Sequence, residues 1–346
     1  MQLGITVDVS GPTPKLDMER VLEAERLGFS QVWAGESYGT DAVTPITWIL
    51  ARTTRIRAGT GIMQIPARTP TCAAMTVMSL QILSNNRFLC GVGVSGAQVV
   101  EGWHGVRFGK PMTRTREYIA IIRQILERKA SLEFHGEEYE IPYAGADATG
   151  LGRALRSITH GNPQMPFYLA SITPAGLRTA GECADGVLPI FYSPDQPHIV
   201  SAPILEGMKK AGRPATLANF DVAPYVRAKL GPDVAACRDA IRPELALYIG
   251  GMGARAKNYY NDVAIKLGYE GAARTIQDLY LGGKKTEAAA AVPDKLIDEI
   301  SLVGPAERIK DRLAAWQQVA KDRAVGTMVL KGASIEVMRV IAEAVL

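Results

Sequence analysis

What most limits the folds open to this chain is a rhythm. Short apolar runs alternate with amphipathic segments almost from end to end. LGITVDV (3–9) reads as a buried strand, and DMERVLEAERLGF follows as a helix, with Asp17 as its N-cap and Met18, Leu22 and Leu27 on one face. SQVWAGE with VTPITWILARTT repeats the pair, as do RIRAGTGIM with TPTCAAMTVMSLQILS and RFLCGVGV with MTRTREYIAIIRQILER. An alternating, hairpin-like stretch, SLEFHGEEYEIPY, and a glycine-rich loop, AGADATGLGRAL, come next. The rhythm then resumes in PFYLAS with PAGLRTAGECA and in GVLPIF with HIVSAPILEGMKKAG. It ends with FDVAPYVRAKL and PAERIKDRLAAWQQVA, then VGTMVLKG and IEVMRVIAEAVL.

That makes eight strand–helix units. A chain of 346 residues can hold two modest domains or one large barrel. Eight repeats favour an α/β fold of the closed (β/α)8 TIM-barrel type over an open doubly wound sheet. Residues 231–300, between the seventh strand and its helix, are helical in pattern almost throughout. They are expected to form an insertion within a single barrel domain spanning 1–346, at the end where barrels place their catalytic loops. Substrate specificity and an oligomer contact are both open as its role.

Composition narrows the function classes. Hydrophobic residues make up 47% and charged residues 21%, with a formal net charge of +4. No Lys/Arg block stands beside aromatic residues, which argues against nucleic acid. No apolar run approaches the ~20 residues of a bilayer span, which argues against a membrane role. The opening MQLGITVDVSG lacks the pattern of a secretory signal, so a cytoplasmic protein is expected. Cys72, Cys90, Cys183 and Cys237 lie far apart in apolar surroundings, as buried free thiols would. His104, His135, His160 and His198 show no ligand spacing, so no metal is expected.

GVGVSG (91–96) spells G-x-G-x-x-G, the phosphate-binding turn of a nicotinamide dinucleotide domain. That turn should follow the first strand of its unit and open a helix directly. Here three strand–helix units come first, and residues 97–112 carry EGWHG and FGKPM rather than a clean helix. The acidic residue expected about 20 positions on is best matched by Glu117, inside a basic helical pattern. The glycines make better sense at the mouth of a barrel strand, where Gly93 and Gly96 would let a flat ring lie against the main chain.

Four segments in order carry a family resemblance: GFSQVWAGESYGTDAVTP, ARTTRIRAGTGIMQIPARTP, LSNNRFLCGVGVSGAQVVEGWHG and AGECADGVLPIFYSP. Together they resemble the luciferase-like flavin and deazaflavin oxidoreductases, most of all the coenzyme F420-dependent branch found in actinobacteria. The resemblance spans nearly the whole chain and implies a (β/α)8 barrel with an insertion. It also implies hydride transfer between C5 of coenzyme F420 and a small organic substrate, in an enzyme that commonly forms a homodimer through helices on one side. Trp48, Met63, Trp103 and Tyr192 are offered as apolar pocket walls, hinting at a hydrophobic substrate.

The resemblance also names site residues. In AGTGIM, relatives have a non-proline cis peptide behind the deazaflavin ring, and the matching bond is Gly61–Ile62, followed by Met63. Ser95 and Gly96 close the fourth strand beside the same ring. Ala170, Ser171, Ile172, Thr173, Ala175 and Gly176, in LASITPAG, form a turn and helix start suited to the cofactor phosphate. Relatives often have glycine where this chain has Ile172 and Thr173. Glu36 in WAGESYG either meets the ring or pairs with an Arg on the rim. The histidine that follows it in some relatives is Ser37 here. Glu36, Ser37 and His104 are the catalytic candidates, His104 as acid or base. Gly96 stands where the sugar-phosphate dehydrogenases have a glutamate, which argues against glucose 6-phosphate. Two other functions stay open: an FMN-dependent monooxygenase, and a cofactor-binding protein without turnover.

Overall fold

The computed structural model describes residues 1–346. Its barrel strands are β1 (Gln2–Val7), β2 (Gln31–Ala34), β3 (Arg57–Thr60) and β4 (Phe88–Gly93). They continue as β5 (Phe167–Leu169), β6 (Gly186–Val187), β7 in two segments (Asp221–Val222 and Tyr225–Leu230), and β8 (Thr327–Lys331). Neighbours pair in parallel around the ring, and β8 returns to β1 with Gln2 opposite Thr327. The bend in β7 falls at Ala223–Pro224, where proline has no N–H for a ladder. Its flanks keep the ring closed: Ala223 N donates to Val187 O at 2.9 Å, and Val329 N donates to Pro224 O at 3.0 Å.

Both faces of these strands are buried, which explains their near-continuous apolar runs. One alternate set points inward: Trp33, Leu89, Tyr168, Leu188, Ala223 and Val329 fill the barrel. The other set, including Val32, Cys90, Phe167, Val222 and Leu330, packs outward beneath the helices. Gly59 has no side chain because Trp33 occupies the space, its ring 2.5 Å from where a Cβ would sit. Below Trp33 lies a polar floor. Asp221 Oδ2 accepts from Gln31 Nε2 at 3.0 Å, Tyr168 OH at 2.9 Å and Thr327 Oγ1 at 2.9 Å.

The outer ring comprises Met18–Arg26, Val43–Arg52, Pro70–Leu83, Pro111–Glu127, Pro174–Cys183, His198–Lys210, Ala306–Lys321 and Ile335–Val345. Asp17 caps the first of these, accepting from Arg20 N at 3.1 Å. That helix docks through Val21 and Ala24, and Leu22 lies exposed rather than on the buried face. The i, i+3 row through Met18 and Val21 wins over the i, i+4 row through Leu22. Cys72 is likewise exposed, on the solvent side of the first turn of Pro70–Leu83, whereas Cys90 and Cys237 are buried. Burial pushes the Cys90 thiol up to about 12.

After Gly96 comes a helix of one and a half turns, Ala97–Gly102, and the chain stays irregular until Pro111. Glu117, the residue a dinucleotide site would need, instead accepts from Glu137, Glu138 and Tyr139 main-chain N–H groups at 2.8, 2.9 and 3.1 Å. It thereby clamps the hairpin Phe134–His135/Glu140–Ile141. Between β7 and Ala306 the chain runs through Val234–Asp239, Arg242–Ala246, Tyr259–Lys266, Glu270–Leu281, Lys285–Ala290 and Asp294–Ile300. These segments enclose an apolar core of their own, built on Leu245, Ile249, Ile276 and Ile297 and joined by Phe191 from the loop after β6.

Candidate functional site

At the C-terminal ends of β2 to β5 the inward positions are Gly35, Gly61, Gly93 and Ala170. Each glycine makes room for something specific. A Cβ at 35 would sit 2.8 Å from Gly61 O, one at 61 would overlap the Tyr225 hydroxyl, and one at 93 would overlap the Ile62 side chain. Main chain therefore packs on main chain, leaving a shelf whose one large side chain is the half-buried Ile62. The Gly61–Ile62 peptide bond is cis, where the resemblance places it. Met63 is different: its side chain is fully buried in the core under the helices, so it lines no pocket. Period-2 alternation turns it away from the face that Ile62 occupies.

The rim beside the shelf is tied together by Glu36. Its Oε1 accepts from Gln64 N at 2.8 Å and from Arg68 Nη1 at 2.7 Å, and its Oε2 accepts from Ala42 N at 2.8 Å. The side chain is 5% exposed. Of the two roles open to Glu36, the structure has the rim carboxylate paired with arginine, not a free acid or base. Ser37 is exposed, and its carbonyl accepts from Gln64 Nε2 at 2.5 Å. His104, in the irregular stretch after Ala97–Gly102, places Nε2 3.2 Å from Gln64 Oε1. Gln64 thus links the Ser37 main chain to His104, and the Ser37 hydroxyl takes no part in the contact. Only the burial of Gln64 and its place behind the shelf reveal it, and sequence reasoning missed it.

Ser95 adopts a left-handed conformation (φ 61°), and Gly96 is the N-cap residue of Ala97–Gly102. After β5, Thr173 caps Pro174–Cys183, its Oγ1 accepting from Gly176 N at 3.1 Å. Pro174 has no N–H, Ala175 is exposed, and the Ser171 side chain lies against buried Gly176. The first-turn N–H of Ala175 with the Ser171 and Thr173 hydroxyls forms a donor set for an anion. Ile172 packs toward Phe191 and the helical segments instead. A planar ring with an anionic side arm fits the bare shelf and this donor set.

The far wall carries charge that the sequence reading did not single out. Arg227 on β7 and Lys331 at the end of β8 follow Tyr225 and Val329 by two residues, on the same inward face. Both grip Glu244 from the helical segment, Arg227 Nε at 2.7 Å and Lys331 Nζ at 2.6 Å. Burial pushes the Glu244 carboxyl up, but the two cations outweigh it and hold the group at about 2. Tyr248 lies beneath both cations, 5.8 and 5.5 Å from its ring centre. The apolar wall expected from Trp48 and Tyr192 is not there. Trp48 is on the outer surface and Tyr192 packs on Trp316 under the helices, while Trp103 is 65% exposed. Short aromatic stretches signal burial without saying on which side of a strand or helix.

No three His, Cys, Asp or Glu side chains converge as a metal site, and no helix is long and apolar enough to cross a membrane. A closed parallel barrel with a bare shelf, a Thr173-capped helix start beside it and a helical segment over the mouth defines a class. The chain belongs to the luciferase-like monooxygenase family, whose model matches residues 4–323. Among individual proteins, it is 39% identical to a Mycobacterium tuberculosis protein that carries the name of a coenzyme F420-dependent oxidoreductase, over 98% of this chain and 97% of that one. It is 28% identical to the 5,10-methylenetetrahydromethanopterin reductase of Methanolobus tindarius, over 90% of each chain. The fold is that of the coenzyme F420-dependent tetrahydromethanopterin reductase of Methanopyrus kandleri, with a TM-score of 0.76 at 21% identity, covering 100% of this chain and 99% of that one.

Proposed function

We propose that this protein is an oxidoreductase that binds coenzyme F420 and passes a hydride between it and a small organic substrate. The observation that carries the reading is the side-chain-free shelf of Gly35, Gly61 and Gly93, with the Thr173-capped helix start one strand beyond. The relatives named for coenzyme F420 support it. When bound, the deazaflavin supplies the hydride chemistry at C5. The protein's part is placement. Ile62 and the shelf main chain seat one face of the ring, Ser171, Thr173 and the Ala175 N–H hold the phosphate, and the rim pinned by Glu36 keeps the shelf in register. His104 is the proton carrier of the rim.

Residues 231–300 are the segment that shapes the substrate side, through Glu244 on Arg227 and Lys331. A homodimer is part of the same proposal. Trp48 on Val43–Arg52 and Met75, Ile82 and Leu83 on Pro70–Leu83 are large apolar side chains left exposed on consecutive outer helices.

The second reading, an FMN-dependent monooxygenase, is favoured by the name of the family model. Titration with coenzyme F420 and, separately, FMN, following quenching of cofactor fluorescence, distinguishes the two. Tight binding of F420 is expected, and tight binding of FMN alone sinks the proposal. Steady-state oxidation of reduced F420 by any substrate eliminates a binding protein without turnover.

A further inference from the structure

Gln64 is 1% exposed and follows the shelf directly, paired through Met63–Gln64 with the end of β4. Its main-chain N–H is fixed on Glu36 Oε1 at 2.8 Å. The two ends of its side-chain amide then meet different partners. One end lies 2.5 Å from the Ser37 carbonyl oxygen, the other 3.2 Å from Nε2 of His104. A carbonyl oxygen only accepts, so the amide nitrogen must face Ser37. A flipped amide would set two acceptor oxygens against each other. The amide oxygen therefore faces His104, and it too only accepts. The imidazole must donate from Nε2.

We propose that Gln64 is the positioning residue that holds neutral His104 as its Nε2–H tautomer, with Nδ1 as the ring atom that takes the proton a substrate releases as it gives up its hydride and passes it to solvent, or delivers a proton from solvent when the hydride runs the other way. Nδ1 has no protein partner, and the ring is half-exposed beside the mouth. A proton gained at Nδ1 gives an imidazolium that still donates to Gln64 from Nε2, so the contact persists through the transfer. Gln64 needs no charge of its own for this, and its burial behind the shelf keeps water from competing for the amide.

The catalytic half of this inference rests on the reading of His104 as proton carrier, whereas the tautomer stands on geometry alone. The test is nitrogen NMR of histidine-labelled protein above the imidazole titration, with the His104→Gln variant assigning one signal set among the four histidines. The expected native result is one protonated and one bare ring nitrogen, the proton on Nε2. In Gln64→Leu the two shifts should move toward each other as the second tautomer appears. A native His104 with its proton on Nδ1, or already averaging two tautomers, overturns the inference. In turnover, His104→Gln should lose on the order of a hundredfold in kcat. Gln64→Leu should lose roughly tenfold, in kcat more than KM. Unchanged kcat in His104→Gln overturns the proton-carrier reading, and with it the role of Nδ1, even if the tautomer is as stated.

Discussion

The Tyr225 hydroxyl donates to the Gly61 carbonyl at 3.4 Å, from β7 on one wall of the barrel to the end of β3 on the other. The two residues share one volume, since a Cβ at 61 would overlap that hydroxyl oxygen. The floor of the proposed ring site is thus set by a contact across the barrel. Gly61→Ala should destabilise the protein by about 1–3 kcal/mol through overpacking. Tyr225→Phe alone should cost under about 1 kcal/mol, because the hydrogen bond it loses is long. In the double variant part of the Gly61→Ala loss should return. Urea denaturation of all four proteins reads the coupling, and strict additivity would refute the shared volume.

Glu36 and Ser37 are neighbours with opposite consequences. Replacing Glu36 by Ala strands the Gln64 and Ala42 N–H groups and leaves Arg68 only the more distant Asp41, at 3.8 Å. About 3 kcal/mol of stability should go with it. Ser37→Ala removes an exposed hydroxyl and should stay within ~0.5 kcal/mol of the parent, with turnover intact. A stable Glu36→Ala protein that had lost only kcat would make Glu36 catalytic after all.

The Glu244 ion pairs give a pH signature. The carboxyl is held at about 2, below its ordinary 4.5, so its contribution to stability is complete above the unfolded value and fades as pH falls from 4.5 toward 2. Glu244→Gln should lower the melting temperature at neutral pH. The gap between variant and parent should close across that acid window in thermal melts taken at stepped pH. A gap that stays constant to pH 2 would rule the ion pairs out as its cause.

At the helix start, Ser171 and Thr173 should separate affinity from stability. Ser171→Ala removes the hydroxyl proposed to hold the cofactor phosphate and should weaken F420 binding by about tenfold, the scale of one charge-assisted hydrogen bond. Its melting temperature should hardly change. Thr173→Ala also removes the cap on Gly176 N and should cost about 1 kcal/mol of stability as well. Equal binding in Ser171→Ala would move the phosphate elsewhere.

Leu83, 81% exposed at the end of its helix, tests the dimer. Sedimentation velocity should show two-chain particles for the parent and single chains for Leu83→Lys at micromolar concentration. A parent that sediments as a single chain at high concentration would remove the homodimer from the proposal.

The barrel was legible because alternation between strand and helix is local: period 2 and period 3.6 are written residue by residue, and their order allows few closed arrangements. The shape of the mouth was legible at two places, the cis bond at Gly61–Ile62 and the turn that Thr173 caps. Other features depended on which way a side chain turns. Met63 and Tyr192 looked like pocket walls and face the outer core, whereas Arg227 and Lys331, which nothing in the sequence marked out, converge on Glu244. Gln64 carries no signal at all in the chain. Its role comes from Ser37, 27 residues before it, and His104, 40 residues after it, meeting one amide. By itself the sequence determined the eight barrel units, their order and the family, but not the strand Ser301–Gly304 that pairs with β7 at the end of the helical segment. The tertiary structure decided which polar groups find partners, because donors and acceptors far apart in the chain become neighbours only when the ring of strands closes.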